Sequence, residues 1–257
     1  MSISIPNAGQ QNLSALVTQL GTTKDSAEIR TKLNGANTGT ELYVKEKGSN
    51  IFGFGAAKRE KHQEAARVDI TSALFNQFGP EIGNKVLNNM SGFFQGGGKV
   101  TVADARNVLA NANATVVAAR KAEVGSHINL FDIQNHPQVA TLFSAFVRRE
   151  YSGENYDFVQ SVRSYRAIPA DANGATYKID AAKALIAQFG AGGAQMVNLP
   201  SNEKLSQIVD DNYNNLSEAQ KNTLFDTAEA TIIKLAKQDT ARRFAVSDAA
   251  LNYISNG

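Results

Sequence analysis

The chain has 257 residues, 42% of them hydrophobic, and its formal net charge of +2 falls short of the concentrated basic field of nucleic-acid-binding proteins. It contains no cysteine, which excludes disulfides, thiolate zinc sites and a cysteine nucleophile. No apolar run reaches the roughly 20 residues that span a bilayer, and the start lacks the basic and apolar regions of a Sec signal peptide. We therefore predict a cytosolic globular protein without a transmembrane segment, a nucleic-acid partner or a cofactor.

Histidine is also scarce. His62, His127 and His136 are well separated in sequence, and none stands in an H-x-x-x-H pair. We interpret all three as surface or helix-capping residues. The sequence accordingly predicts no metal site, and no cluster of carboxylate, histidine and nucleophile indicates a catalytic residue.

Residues 1–45 are rich in Ser, Thr, Asn, Gln and Gly and carry no charge before Lys24. This composition predicts a flexible N-terminal tail. It also resembles the secretion leaders of bacterial type III effectors, and that resemblance implies a secretion chaperone as a partner. A plain flexible terminus explains the same composition, so both interpretations stay open.

Residues 46–122 are predicted to form a small helical unit. Apolar residues recur every three or four positions over residues 66–78, which indicates an amphipathic helix, and a short second helix is predicted over residues 81–90. A third helix follows an N-cap at Thr101. The glycine-rich stretch "GFFQGGGKV" lacks the spacing of a phosphate-binding loop and is interpreted as an inter-helix connection, so the role of this unit stays unassigned.

Residues 125–257 show the same helical periodicity. One helix is predicted to begin at Pro137 and to be stopped by Gly153, and the next is predicted to begin at Glu154. A short helix is also predicted from Glu203 to Tyr213. Because no alternating strand pattern is found, the predicted class is all-α: a multi-helix bundle preceded by the small helical unit and the flexible tail.

Three segments of this bundle resemble the RGS domain, the helical module that regulates the α subunits of heterotrimeric G proteins. The stretch "LFSAFVRREYSGENYDF" is similar to the family signature F-x-x-F-L-x-x-E-[FY]-S-x-E-N-x-x-F-W. The segments "AAKALIAQF…VNL" and "LFDTAEATIIKLAKQDTARRF" resemble two further family segments in the same order. The resemblance covers about half of the chain, and it implies an RGS-like bundle.

That resemblance also implies a Gα-binding surface formed by three loop corners at one end of the bundle. The implied partner-binding residues are Tyr151, Ser152, Glu154 and Asn155 at the first corner, Asn198 at the second, and Asp239, Thr240 and Arg243 at the third. In the family, the asparagine of the second corner lies beside the catalytic glutamine of Gα. The aspartate of the third corner accepts hydrogen bonds from the switch-I backbone, and Arg243 would brace that aspartate.

A simpler interpretation of single residues competes with the docking role. Glu154, Asn155 and Asp239 stand at helix ends, where Asx and acidic residues commonly act as caps. Rigid scaffolds also present binding residues at such positions. The joint match of all three corners, with Arg243 four residues after Asp239, favours docking.

The sequence also departs from the family pattern. Val159 stands where the family has tryptophan, which implies repacking of the core around it. Pro200 follows the second corner, and the segment before Phe225 is longer than in the family. These departures bear on which Gα class is bound and on whether activation is retained.

The resemblance implies a regulator that binds Gα and accelerates GTP hydrolysis without being an enzyme itself. The alternative is an RGS-shaped scaffold that binds proteins without affecting hydrolysis; retention of the asparagine and aspartate corners favours activity. The low-charge start and the lack of Cys and Trp suggest a bacterial protein delivered into the cytosol of a host cell. A eukaryotic cytosolic regulator is the other interpretation.

Overall fold

The computed structural model describes residues 4–6, 10–33, 39–45, 56–169, 172–200, 205 and 213–256. The chain divides into two compact units, Met1–Ala119 and Arg120–Gly257. The helix predicted from Glu203 to Tyr213 lies almost entirely outside the described residues. Among the helices of the described residues, none combines the length and the apolar character that a bilayer crossing requires.

The described residues of the first unit form three strands and the helices α1 to α4. Their bounds are β1 (Ser4–Pro6), α1 (Leu13–Leu20), β2 (Glu28–Leu33), β3 (Gly39–Lys45), α2 (Ala56–Asn89), α3 (Ser91–Phe94) and α4 (Val102–Gly125). The last residues of α4 belong to the second unit.

A three-stranded antiparallel sheet of order β1-β3-β2 lies in the segment that the sequence predicts as a flexible tail. The expectation that the chain contains no strand is therefore wrong. Ile29 pairs with Val44 and Thr31 with Leu42, and all four side chains are buried. Helix α1 adds three fully buried leucines to the same core, so burial of apolar surface orders this polar-looking stretch.

Helix α2 contains a sharp kink where the sequence predicts two helices. Gly79 has a φ of 72°, in the left-handed region that favours glycine, and Pro80 follows it without a backbone N–H. Apolar residues on both sides of the kink, including Ile70, Leu74 and Val86, are fully buried in the core of the first unit.

Every regular secondary-structure element among the described residues of the second unit is a helix, which confirms the all-α class for the bundle. Its helices after the end of α4 are α5 (Pro137–Arg149), α6 (Gly153–Arg166), α7 (Ala172–Phe189), α8 (Glu218–Asn222), α9 (Asp226–Gln238), α10 (Thr240–Ala245) and α11 (Asp248–Asn256). Short 3-10 helices cover Asn129–Phe131 and Tyr213–Asn215.

An aromatic cluster joins the helices behind the predicted corners. The Phe143 ring of α5 makes edge-to-face contacts with Phe131 and with Phe244 of α10, both with centroids 5.3 Å apart. Tyr156 of α6 stacks on Phe131. Burial raises the pKa of the Tyr156 phenol, although the charges of Arg163 and Arg148 oppose that shift, so the ring stays neutral within the cluster.

A polar cluster joins α6 to α9 on another side of the bundle. Arg166 donates to Glu229 over 2.7 Å and to Asp226 over 2.6 Å, and Arg163 donates to Glu229 over 3.3 Å. Hydrogen bonds and opposite charge satisfy the buried Glu229 carboxylate, as a buried charge requires. These contacts hold α9, which leads into the third corner, against α6, which begins at the first.

Candidate functional site

The first corner is a tight turn between α5 and α6. Both the backbone nitrogen and the hydroxyl of Ser152 donate to the Val147 carbonyl oxygen, over 2.9 and 3.3 Å. Tyr151 has a φ of 54°, which is uncommon for a residue with a side chain, and its side chain is 96% exposed. Gly153 begins α6 instead of stopping α5, so the predicted boundary is wrong and Tyr151 makes the turn.

Glu154 and Asn155 lie in the first turn of α6. The Asn155 side-chain amide donates to a Glu154 carboxylate oxygen over 3.3 Å, and both residues are partly buried. Ser152 occupies the N-cap position but makes no side-chain capping bond. The Glu154 carboxylate is well placed for the helix dipole, which favours negative charge at a helix N-terminus.

The second corner follows α7. Its backbone doubles back, so that the Gln195 and Val197 nitrogens donate to the carbonyl oxygens of Gln188 and Phe189, each over 3.0 Å. Val197 is buried, whereas Asn198 is exposed and its side chain makes no hydrogen bond to another described residue. The corner therefore presents the Asn198 amide to solvent on an anchored backbone.

Gly193 allows the chain after α7 to pass close to the backbone of that helix. A Cβ atom at this position would lie 2.3 Å from the Gln188 carbonyl oxygen, a separation that real contacts do not reach. The glycine thus allows the chain after α7 to approach the last turn of that helix.

The third corner is the junction of α9 and α10. Arg243 donates from Nε and Nη2 to the two carboxylate oxygens of Asp239, over 3.0 and 3.2 Å, and its Nη1 donates to Glu150. Glu150 follows the last residue of α5, so Arg243 joins the third corner to the first. Asp239 has the N-cap position of α10, yet its carboxylate makes no capping bond and faces Arg243 instead.

Thr240 is buried, unlike its neighbours in this corner. It is the first residue of α10, which is anchored by Phe244 through ring contacts with Phe143 and Phe146. Among the corner residues, Thr240 therefore lies inside the bundle, whereas Asp239 and Arg243 are exposed.

Helix topology brings the three corners to one end of the bundle. Helix α6 packs against both α5 and α7, and α10 packs against α5, where Arg243 of the third corner contacts Glu150 beside the first. The Gln195 side-chain amide of the second corner donates to Asp157 of α6 over 3.2 Å, and Arg148 at the end of α5 pairs with the same carboxylate over 2.6 Å.

The sequence did not predict Glu150, Asp157 and Gln195 as part of this end. The contacts Arg148–Asp157, Gln195–Asp157 and Arg243–Glu150 join residues between 9 and 93 positions apart along the chain, beyond the reach of helical periodicity. The only signal in the sequence is the presence of charged or amide side chains within three residues of each predicted corner.

The contacts of His62 and His136 involve no corner residue. His62 Nδ1 is 2.5 Å from the Thr31 carbonyl oxygen, and His136, at the N-cap position of α5, is 3.3 Å from Glu123. Burial, helped by the nearby Lys237 charge, lowers the pKa of His127. Within the described residues, no group of three or more His, Asp or Glu side chains is placed to hold a metal ion.

Two departures from the family pattern can be located among the described residues. Val159 is fully buried in the core of the second unit. The longer segment before Phe225 includes α8, which begins with a capping box between Ser217 and Gln220. The Tyr213 hydroxyl of that segment lies 3.0 Å from the Tyr165 hydroxyl of α6, so this part of the longer segment is docked on the bundle.

The second unit is thus an all-helical bundle with exposed polar side chains at its predicted corners. A family model described as the Regulator of G protein signaling domain matches residues 129–253. The second unit is therefore an RGS domain, and its general role is the regulation of G-protein signalling. No curated protein matches the chain at a significant level.

Proposed function

We propose that the RGS domain binds the GTP-hydrolysing state of a Gα subunit through its three corners and accelerates hydrolysis. The observation that best supports this proposal is the arrangement of Asp239, Arg243 and Glu150. An aspartate whose carboxylate is held by an arginine from one side, and is not used as a helix cap, keeps acceptor capacity for backbone N–H groups of a partner.

The mechanism requires no chemical group from this chain. Gα carries its own arginine in cis and a glutamine that orients the attacking water, with an intrinsic rate of about 10⁻² per second. A regulator accelerates this reaction when it binds the transition-state arrangement of the switch loops more tightly than the ground state. Each tenfold gain in rate requires about 1.4 kcal/mol of that preference.

We assign a separate part to each corner. Asp239 accepts hydrogen bonds from the switch-I backbone, and Arg243 keeps its carboxylate in place. Asn198 lies beside the catalytic glutamine, for which an exposed amide on an anchored backbone is suited. Tyr151, which is almost fully exposed, supplies aromatic contact area at low cost in side-chain entropy.

Single-turnover GTP hydrolysis by purified Gα subunits of the Gi and Gq types tests the proposal. We expect the full chain to accelerate hydrolysis and the Asn198→Ala and Asp239→Ala variants to lose that acceleration. Asn113→Ala, which changes an exposed asparagine of the first unit, should behave like the wild type. Equal acceleration by the wild type and both corner variants would contradict the assigned surface.

The competing function is a scaffold with an RGS fold that binds a protein without changing GTP hydrolysis. The same experiment separates the two functions when binding to Gα with GDP and aluminium fluoride is measured in parallel. Binding without acceleration would favour the scaffold, and the absence of both would reject Gα as the partner.

We also propose a place of action. The composition of residues 1–23, which carry no charged side chain, supports delivery by a bacterial type III system into the cytosol of a host cell that contains Gα. Leu13, Leu16 and Leu20 are buried in the first unit, so delivery requires this segment to unfold or to be held open by a chaperone. We expect a strain with a type III secretion system to export the full chain, and a matched strain without that system to retain it. Retention by both strains would contradict delivery.

A further inference from the structure

Asp157 on α6 is held by side chains that adjoin two different corners. Its Oδ1 accepts from Arg148 Nη2 over 2.6 Å, and its Oδ2 accepts from Arg148 Nη1 over 3.3 Å and from Gln195 Nε2 over 3.2 Å. Arg148 lies three residues before Tyr151, and Gln195 lies three residues before Asn198. One carboxylate therefore connects the turn that carries Tyr151 with the turn that carries Asn198.

The geometry around Asp157 leaves its partners little freedom. The Gln195 side-chain oxygen accepts from Gln188 Nε2, so both ends of this amide are engaged. The Arg148 side chain passes beneath Gly153, where a Cβ atom would lie only 3.2 Å from its Cγ. A half-buried carboxylate with charge-assisted hydrogen bonds holds such groups more firmly than a neutral acceptor does.

We infer that Asp157 is a positioning residue that fixes the first corner relative to the second and so sets the place of Asn198 on the docking surface. This inference rests on the proposed function. Asp157 acts through Asn198 and does not itself touch the partner. A turn that is already held in its bound geometry loses less conformational freedom on binding, which raises affinity without a new contact.

The first test is a double-mutant cycle on binding to Gα with GDP and aluminium fluoride. Asp157→Asn keeps the size of the side chain and removes its charge, and it should weaken binding roughly tenfold in the full chain. In the Asn198→Ala background the same change should weaken binding less than about twofold, because the residue it positions is gone. Equal losses in both backgrounds, or no loss in either, would overturn the inference.

Asp180→Asn is the matched control, since it makes the same chemical change at an exposed carboxylate of α7. Its binding should equal that of the wild type. A loss as large as that of Asp157→Asn would attribute the effect to net charge and would overturn a specific role of Asp157.

Reversing the polarity of the contact gives a second test. Gln195→Glu places a carboxylate against Asp157, and like charges at this distance should weaken binding. The combination of Asp157→Asn with Gln195→Glu restores a donor and an acceptor with exchanged roles, so binding should recover to within about threefold of the wild type. Failure of the combination to bind better than Gln195→Glu alone would count against the inference.

Hydrogen exchange separates failure of this inference from failure of the proposed function. The amides of Gln195 and Val197 should exchange about tenfold faster in full-length Asp157→Asn than in the wild type, because the turn opens more often. Unchanged exchange would overturn the inference. If the wild type binds no tested Gα, the proposed function fails, while this measurement still decides whether Asp157 holds the turn.

Discussion

Asp239 stands at an N-cap position without capping its helix. An aspartate at this position commonly accepts a hydrogen bond from a backbone N–H of the first turn. Here both carboxylate oxygens face Arg243, and the backbone carbonyl of Asp239 alone makes the helical contacts with the nitrogens of Arg242 and Arg243. The capping explanation that competes with a docking role therefore does not account for this side chain.

We predict that Asp239→Ala lowers the free energy of unfolding by less than about 1 kcal/mol, because the lost ion pair is exposed and Arg243 keeps Glu150 as a partner. Urea unfolding of the full chain measures this change. Ser217→Ala is the control, since Ser217 makes a true capping box and its loss should cost about 1 kcal/mol or more. A loss above about 2 kcal/mol for Asp239→Ala would mean that the side chain is mainly structural.

The turn at Tyr151 shows where prediction from single residues fails. Glycine is the usual residue at a positive φ, so the sequence assigns the break to Gly153. The structure instead uses Gly153 for its lack of a side chain above Arg148 and places the positive φ at Tyr151. A glycine signals a close approach as well as a turn, and the sequence alone does not distinguish the two.

At the level of elements, helices with a continuous apolar stripe are predicted well. The stripe from Val139 to Val147 matches the buried face of α5, because the 3.6-residue period repeats over more than two turns. The sheet is missed because β1 has three residues and the alternation in β3 rests on Leu42 and Val44 alone. Such short alternation in a polar stretch is indistinguishable from a tail.

Helix α10 depends on tertiary contacts because its six residues are too few to form a helix alone. Phe244 supplies the anchor: it is fully buried, with its ring centroid 5.3 Å from Phe143 and 5.5 Å from Phe146. We predict that Phe244→Ala lowers the free energy of unfolding by about 3–5 kcal/mol and weakens Gα binding through the displaced third corner.

Thermal or urea unfolding of the full chain measures the stability loss at Phe244. Val246→Ala is the control, because this side chain lies two residues later and is mostly exposed, and its substitution should change stability by no more than about 0.5 kcal/mol. Similar small losses in both variants would show that α10 is held by other contacts.

Tyr253 connects α11 to the end of α4. Its hydroxyl donates to Glu123 over 2.5 Å, and burial together with that carboxylate raises the pKa of Tyr253 to about 12. The raised pKa means that the folded state favours the neutral phenol. The resulting stabilisation is complete below the ordinary tyrosine pKa of about 10 and is lost as the pH rises through about 12.

We predict that the wild type is more stable than Tyr253→Phe at pH 8 by about 1 kcal/mol and that this difference narrows at pH 11. Urea unfolding at both values measures the difference, and contributions from the other tyrosines cancel between the two proteins. Tyr177→Phe, at an exposed tyrosine of α7, should match the wild type at both pH values. A constant difference between Tyr253→Phe and the wild type would contradict the coupling to Glu123.

At the scale of the whole molecule, the sequence predicts the order of the family-like segments better than it predicts the contacts between them. The resemblance of three dispersed segments identifies the RGS domain, and packing of α6 on α5 and α7 and of α10 on α5 brings their corners together. The links that tie the corners are long-range side-chain pairs, such as Arg243 with Glu150 and Gln195 with Asp157. No local pattern encodes such pairs, because each partner alone is an ordinary polar residue near a helix end.

The boundary of the RGS domain gives the final prediction. The family match begins at residue 129, but the core of the second unit includes Val124, and Glu123 contacts both His136 and Tyr253.

A fragment of residues 120–257 retains these groups, so it should fold alone and bind Gα as the full chain does. A fragment of residues 129–257 loses a buried valine and two hydrogen bonds to a carboxylate, and it should be less stable by about 2 kcal/mol or more. Urea unfolding of both fragments measures this difference; equal stability would place the functional boundary of the domain at residue 129, as the family match does.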